Sequence, residues 1–251
     1  MILEQFSLKG KVAIVTGSNT GLGQGICRAY VEAGAKVAGV SRRPSTETEE
    51  MLGSENFYNI IADLSSVDVI PDVIQKALER YGRIDILVNN AGIIKRQDSI
   101  EFSEENWDSV INVNLKTVFF LTQAVARQYI KQGTGGKIIN IASMLSYQGG
   151  VRVPSYTASK SAIRGITMTL ANEWAKYNIN VNGIAPGYMA TNNTQQLRQD
   201  EERSADILAR IPAGRWGTPA DLEGAAVFLA SAASDYVNGF TITVDGGWLG
   251  R

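Results

Sequence analysis

The chain has 251 residues, 24 Lys and Arg against 25 Asp and Glu, a formal net charge of -1, 44% hydrophobic and 20% charged residues. That length fits one α/β unit of about 250 residues and excludes fibrous, disordered and miniature scaffolds, while balanced charge without a basic run leaves no footprint for nucleic acid or an anionic membrane. A single cysteine, Cys27, excludes intramolecular disulfides and multi-thiolate metal sites, and the lack of any histidine excludes Ser-His-Asp and Cys-His triads.

Lys11-Val12-Ala13-Ile14-Val15-Thr16 opens the pattern as a buried strand, followed by a helical stretch at 22–33 that Gly34 closes. Strands follow at 36–40 and 57–62, then a helix at 67–81 closed by Gly82, a strand at 84–89 and a helix at 103–130. The second half continues with a strand at 137–141, a helix at 156–176, a strand at 180–185, a helix at 220–229 and a last strand at 240–244. Between the sixth strand and the last helix runs a polar segment, 187–216, with a helical stretch at 200–209, which reads as a substrate lid. The rhythm is that of one α/β domain, a doubly wound parallel sheet of about seven strands with helices on both faces. No linker, repeat or low-complexity tract divides it. The opening residues lack a secretory leader pattern and no segment approaches the roughly 18 apolar residues of a span, so a cytoplasmic protein without a membrane partner is expected.

Ligands of such sheets sit at the C-terminal ends of the strands, and several residue groups fall there. Thr16-Gly17-Ser18-Asn19-Thr20-Gly21-Leu22-Gly23 joins the first strand to the first helix. Its glycines permit a sharp turn and the approach of a pyrophosphate to the free N–H groups of a helix start. The spacing, G-x-x-x-G-x-G, differs from the G-x-G-x-x-G of dinucleotide sites, and alone it is equally a tight structural turn. Asn89-Asn90-Ala91-Gly92 ends the fourth strand, where it serves both as a backbone-capping turn and as a cleft wall. Asp63-Leu64 follows the third, where the carboxylate accepts from an adenine amino group or caps a helix.

Tyr156 and Lys160 stand at i and i+4 of one helix face. A tyrosine with a pKa of about 10 becomes a base near neutrality with ~4 kcal/mol of phenolate stabilisation, which a neighbouring ammonium and an oxidised nicotinamide are able to supply. In isolation the pair is usually an amphipathic face with a snorkelling lysine. Ser143, just past the fifth strand, faces the same cleft with a hydroxyl that donates to a carbonyl oxygen. Asn114, polar within an apolar helix, needs a buried partner such as a water or a backbone carbonyl.

Taken together, Thr16-Gly17-x-x-x-Gly21-x-Gly23, Asn89-Asn90-Ala91-Gly92, Asn114, Ser143, Tyr156-x-x-x-Lys160 and Pro186-Gly187 resemble the short-chain dehydrogenase/reductase family over nearly the whole chain. The resemblance implies a Rossmann-type NAD(P) domain and a catalytic tetrad of Asn114, Ser143, Tyr156 and Lys160. Tyr156 would exchange the proton, Ser143 would hold the substrate oxygen, Lys160 would bind the nicotinamide ribose, and Asn114 would hold a relaying water. Gly17, Asn19, Thr20, Gly21, Leu22, Gly23, Asp63, Leu64, Asn90, Ala91 and Gly92 would contact the cofactor, with Pro186, Gly187, Met189 and Thr191 at its nicotinamide end. A homotetramer is the family's common assembly.

The segments 140–146, 152–156, 172–176, 187–194, 211–217 and 244–249 are similar to family members that act on deoxy sugar acids, so a small sugar acid is the expected substrate. Its carboxylate needs a cation; Arg152, in the loop between Ser143 and Tyr156, is the best-placed candidate and the Lys95-Arg96 pair the alternative, although solvated loop charges explain them equally. Two other functions fit the fold: a 3-oxoacyl-carrier-protein reductase, which needs an apolar acyl channel, and a nucleotide-sensing binding protein without catalysis. For the cofactor, the second strand ends Val40-Ser41-Arg42-Arg43, with Ser41 where NAD-preferring relatives place an acid. NADP is therefore expected, with NAD as the alternative, since Thr20 is neutral where many NADP-preferring relatives carry a basic residue.

Overall fold

Strand β1 (Val12–Thr16) is buried at every position. Its successive side chains point to opposite faces, so Ala13 and Val15 join one apolar cluster and Ile14 the other. This is why the strand reads as a continuous apolar run rather than an alternating one. The computed structural model describes residues 1–250. Among them, β2 (Lys36–Ser41), β3 (Phe57–Ile61), β4 (Ile86–Asn89), β5 (Gly136–Ile141), β6 (Ile179–Pro186) and β7 (Thr241–Val244) complete a seven-stranded sheet in the order β3-β2-β1-β4-β5-β6-β7. Every pairing is parallel. The order reverses between β1 and β4, and the crevice at their C-terminal ends is where the glycine turn and Asn90 meet.

On one face, α1 (Gly21–Glu32) and α9 (Pro219–Ala230) pack Ile26, Tyr30, Leu222 and Leu229 onto the sheet. The Tyr30 hydroxyl donates to the Ala226 carbonyl at 3.2 Å, tying the two helices together. On the other face, α3 (Ile70–Tyr81), α5 (Thr117–Gln132) and α6 (Pro154–Trp174) bring Val73, Leu121, Val125 and Leu170 against Ile14, Leu87 and Ile138. Gly34 and Gly82 end their helices with φ of 101° and 76°, the left-handed region that glycine enters at little cost.

Three elements differ from the sequence pattern. A short α2 (Thr46–Leu52) occupies a stretch too brief to show a period; it turns Thr48 and Leu52 inward. The single helix expected over 103–130 is α4 (Glu104–Ile111) and α5 joined by a π-helical turn, Asn112–Lys116. The 187–216 segment holds α7 (Gln195–Gln199) and α8 (Glu201–Arg210), the latter capped by Asp200, which accepts the Arg203 N–H at 3.0 Å. Among the described residues no helix is long and apolar enough to cross a membrane, and no cluster of acidic and cysteine side chains is arranged to hold a metal.

Candidate active site

The glycine turn is braced from β4. Thr16 Oγ1 accepts the N–H groups of Asn90 and Ala91, each at 2.9 Å, and Asn90 Nδ2 donates to the Thr16 carbonyl at 2.8 Å. Gly17 has φ +69°, and a Cβ there would stand 2.8 Å from Asn90 Nδ2; one on Gly23 would stand 2.0 Å from the Gly17 carbonyl oxygen. Helix α1 begins without a side-chain cap at Thr20, so its first N–H groups open to the cleft. Those uncapped donors, with the positive end of the helix dipole and glycines that admit close backbone approach, fit a dinucleotide pyrophosphate.

The turn is also pinned to the end of β2. Ser18 Oγ lies 3.2 Å from Ser45 Oγ, Ser45 Oγ lies 3.0 Å from Ser41 Oγ, and Ser41 Oγ donates to the Arg43 carbonyl at 2.6 Å. Since Ser41 spends its proton on Arg43, the hydroxyls run one way, Ser18 to Ser45 to Ser41. Arg42 and Arg43 are exposed, and neither makes an ion pair or side-chain hydrogen bond among the described residues. Sequence reasoning missed Ser18, Ser45 and Thr48, whose hydroxyl donates to the Ser18 carbonyl at 3.0 Å. Small hydroxyl residues in a polar loop carry no pattern that marks them as buried.

Around the proton-transfer candidates, Ser143 caps a short turn, its Oγ accepting the Leu145 N–H at 3.1 Å. Lys160 is 5% exposed and its Nζ donates to the Ile141 carbonyl at 2.6 Å, 5.7 Å from the centroid of the Tyr156 ring. Burial pulls the Lys160 ammonium down to about 8. It likewise pushes the Tyr156 phenol up, with the Ser143 hydroxyl and the Arg96 charge pulling it part of the way back. In the chain without cofactor, desolvation thus opposes charge on both groups, and the Arg96 charge is the one that draws the phenol down.

Asn114 sits in the π turn, 1% exposed. Its Oδ1 accepts the Ile93 N–H at 2.8 Å, and its Nδ2 donates to the Ile93 carbonyl at 2.9 Å and to Ser159 Oγ at 3.3 Å. The wider i to i+5 turn is the feature that aims this side chain inward, and such turns recur at functional sites. Gly92 is the point where Asn114 and Lys160 converge. A Cβ there would stand 3.3 Å from Asn114 Oδ1 and 3.8 Å from Lys160 Nζ.

One cleft of about 280 Å³ gathers most of the predicted residues. Gly17, Asn19, Thr20, Gly21 and Leu22 line it from the glycine turn, Asn90, Ala91 and Gly92 from β4. Ser143, Tyr156 and Lys160 form the far wall, with Pro186, Gly187, Met189 and Thr191 after β6. Gly23, Asn114, Ser41, Arg42, Arg43, Asp63, Leu64, Arg96 and Arg152 lie outside those walls. Asp63 is exposed and accepts the Ser65 N–H at 3.0 Å, while Leu64 is buried in the core. A larger cavity, about 840 Å³, opens at the N-terminal ends of β4, β5 and β6 beside Lys11, Asp85 and Lys137, and no predicted site residue lines it.

The two candidate cations part company. Arg152 has φ +64° and pairs through Nε with Asp98 at 2.9 Å. Arg96 has no carboxylate partner among the described residues; it donates through Nη2 to the Asn193 carbonyl at 3.3 Å, across to a residue of the cleft rim.

A parallel sheet with a glycine turn at its switch point and a Ser, Tyr and Lys on the facing wall defines a dinucleotide-dependent oxidoreductase, and the chain belongs to the short chain dehydrogenase family, which matches residues 11–202. It is 64% identical over 253 residues, covering 100% of both chains, to the 2-dehydro-3-deoxy-D-gluconate 5-dehydrogenase of Dickeya dadantii (strain 3937). Among solved structures it resembles an Agrobacterium tumefaciens protein described as a 2-deoxy-d-gluconate 3-dehydrogenase with bound NADP, at TM-score 0.91 and 52% identity, covering 98% of this chain and 99% of that one. A gluconate 5-dehydrogenase from Burkholderia cenocepacia J2315, in complex with NADP and tartrate, is similar at TM-score 0.93 and 40% identity over 100% of both chains.

Proposed function

We propose that this protein is an NADP-dependent dehydrogenase of a deoxy sugar acid, interconverting a secondary alcohol and a ketone as in the 2-dehydro-3-deoxy-D-gluconate 5-dehydrogenase reaction. The observation that carries the reading is the convergence of Ser143, Tyr156 and Lys160 on one cleft wall in a chain matched end to end by relatives of that name. When bound, the nicotinamide accepts or supplies the hydride at the carbinol carbon. The chain does the rest. Ser143 holds the substrate oxygen by its hydroxyl, and Tyr156 takes the proton from the alcohol or returns it to the ketone oxygen. Lys160, fixed by the Ile141 carbonyl, holds the ribose, and Asn114 anchors the Ile93 backbone beside it.

Arg96 is the cation assigned to the substrate carboxylate, because it is unpaired and acts on the Tyr156 phenol, whereas Arg152 is already neutralised by Asp98. The tartrate in the B. cenocepacia relative, a hydroxy acid held with NADP, supports an acid in this position. Arg42 and Arg43, exposed and free of carboxylates, are assigned to the 2′-phosphate of NADP. The proposal extends to a single domain with 187–216 as its lid. A homotetramer is supported by Phe240, 61% exposed beside the open edge of β7. A cytoplasmic setting is supported by a lone buried thiol, Cys27.

The test is an absorbance assay at the nicotinamide band with 2-dehydro-3-deoxy-D-gluconate, gluconate and an acetoacetyl thioester, each with NADP(H) and NAD(H). Turnover of the deoxy sugar acid, abolished in Tyr156→Phe with cofactor binding intact, is the expected result. Turnover of the thioester alone would replace the reading with acyl-carrier reduction, and cofactor binding without turnover of any ketone would replace it with a nucleotide sensor.

A further inference from the structure

Granted that Arg42 and Arg43 hold the 2′-phosphate of NADP, we propose that Ser45 is the positioning residue that sets their loop for it. Ser45 stands at the N-cap of α2, where a serine oxygen ordinarily accepts an N–H of the first helical turn. Here its side chain makes no such bond. It turns inward instead, 1% exposed, with its Oγ 3.0 Å from Ser41 Oγ and 3.2 Å from Ser18 Oγ. The helix start forgoes its side-chain cap, and the hydroxyl ties two other segments together.

Arg42, Arg43 and Pro44, all exposed, therefore form a tip closed at its base by a hydrogen bond between two buried serines. Pro44 fixes one backbone angle of that tip. Ser41 accepts from Ser45 and donates its own O–H to the Arg43 carbonyl at 2.6 Å. That bond draws the carbonyl oxygen inward, so the negative end of the peptide is turned away from an anion on the exposed side. Ser18 joins the tip to the glycine turn, since it stands between Gly17 and Asn19 of the cleft wall. Gly39 of β2 leaves the slot for its hydroxyl: a Cβ there would stand 2.6 Å from Ser18 Oγ. Three hydroxyls thus hold the two arginines and the turn that faces the pyrophosphate at one spacing. A loop already ordered in its binding conformation loses less freedom when the ligand arrives, and only a ligand carrying the 2′-phosphate draws on these arginines. NAD has no group for the tip to hold.

The experiment measures dissociation constants of NADP and NAD by titration calorimetry. It compares wild type, Ser45→Ala, Ser45→Cys, the Arg42→Ala/Arg43→Ala double variant, and that double variant combined with Ser45→Ala. Ser45→Ala is expected to weaken NADP about five- to tenfold and NAD by less than about twofold. The glycine turn keeps its other braces, from Asn90 and from the Thr48 hydroxyl on the Ser18 carbonyl, so NAD is spared. Ser45→Cys keeps the shape with a weaker donor and should fall between wild type and alanine. Without the two arginines, Ser45→Ala should change neither constant further, because it acts only through them. Equal weakening of both cofactors would mark a general loosening of the turn. That result, an unchanged NADP constant, or a further loss in the background lacking both arginines overturns the proposal. A wild type that binds NAD as tightly as NADP overturns the assignment of the arginines itself, and the role of Ser45 with it, before any variant is compared.

Discussion

Replacing Lys160 by methionine should stabilise the protein without cofactor at neutral pH and destabilise it at high pH. The buried ammonium holds its proton only to about 8, against 10.5 for an unperturbed lysine. At about 1.36 kcal/mol per pH unit, keeping it charged in the folded state costs about 3 kcal/mol at pH 7. Methionine fills the space of the aliphatic stem without charge. It leaves the Ile141 carbonyl, now served by Nζ at 2.6 Å, without that donor, a loss of about 1–2 kcal/mol. The variant should therefore be more stable than wild type by about 1–2 kcal/mol at pH 7. Between pH 8 and 10.5 the unfolded wild-type chain carries the proton and the folded one does not, so wild-type stability rises with pH relative to the variant. By pH 10.5 the order should reverse. Urea unfolding of both cofactor-free proteins at fixed concentration from pH 7 to 10.5 measures this, since other groups titrating in the range cancel in the difference. Parallel stability curves for the two proteins would refute the argument, as would a variant less stable at pH 7. The same substitution should abolish turnover, in keeping with a destabilising charge retained for function.

Gly17→Ala should abolish NADP binding by titration calorimetry and lower the unfolding midpoint, because a Cβ at φ +69° would stand 2.8 Å from the Asn90 amide that braces the turn. Arg42→Ala and Arg43→Ala should each lower the kcat/KM ratio of NADP to NAD by about tenfold, with NAD kinetics unchanged; an unaltered ratio in both would show that these arginines only face solvent. Arg96→Ala should raise the sugar-acid KM by about tenfold or more and shift the alkaline limb of the pH–rate profile upward, since the cation that draws down the Tyr156 phenol is gone. Arg152→Gly should leave that KM within about twofold, because its guanidinium is paired with Asp98 and glycine tolerates φ +64°.

The sheet and much of the cleft were legible in local pattern. Apolar runs such as 12–15 and 86–88 announce strands buried on both faces, and glycines at fixed offsets announce the turn after β1. Tyr156 and Lys160 share a helix face through spacing alone. These signals are short-range, carried by residues within one or two turns of one another, and so they survive in a one-dimensional string. What the tertiary structure alone decided depends on partners far apart in sequence. The π turn that aims Asn114 inward breaks a helix that periodicity reads as continuous. The hydroxyls of Ser18, Ser41 and Ser45 become a buried chain only when β1 and β2 lie side by side. Arg96 and Arg152 look alike as loop cations, and only the nearness of Asp98 to one of them separates their roles. The direction of the Tyr156 and Lys160 shifts was likewise invisible, because it is set by how much water the assembled fold removes from each group, and no residue carries that quantity in its own identity.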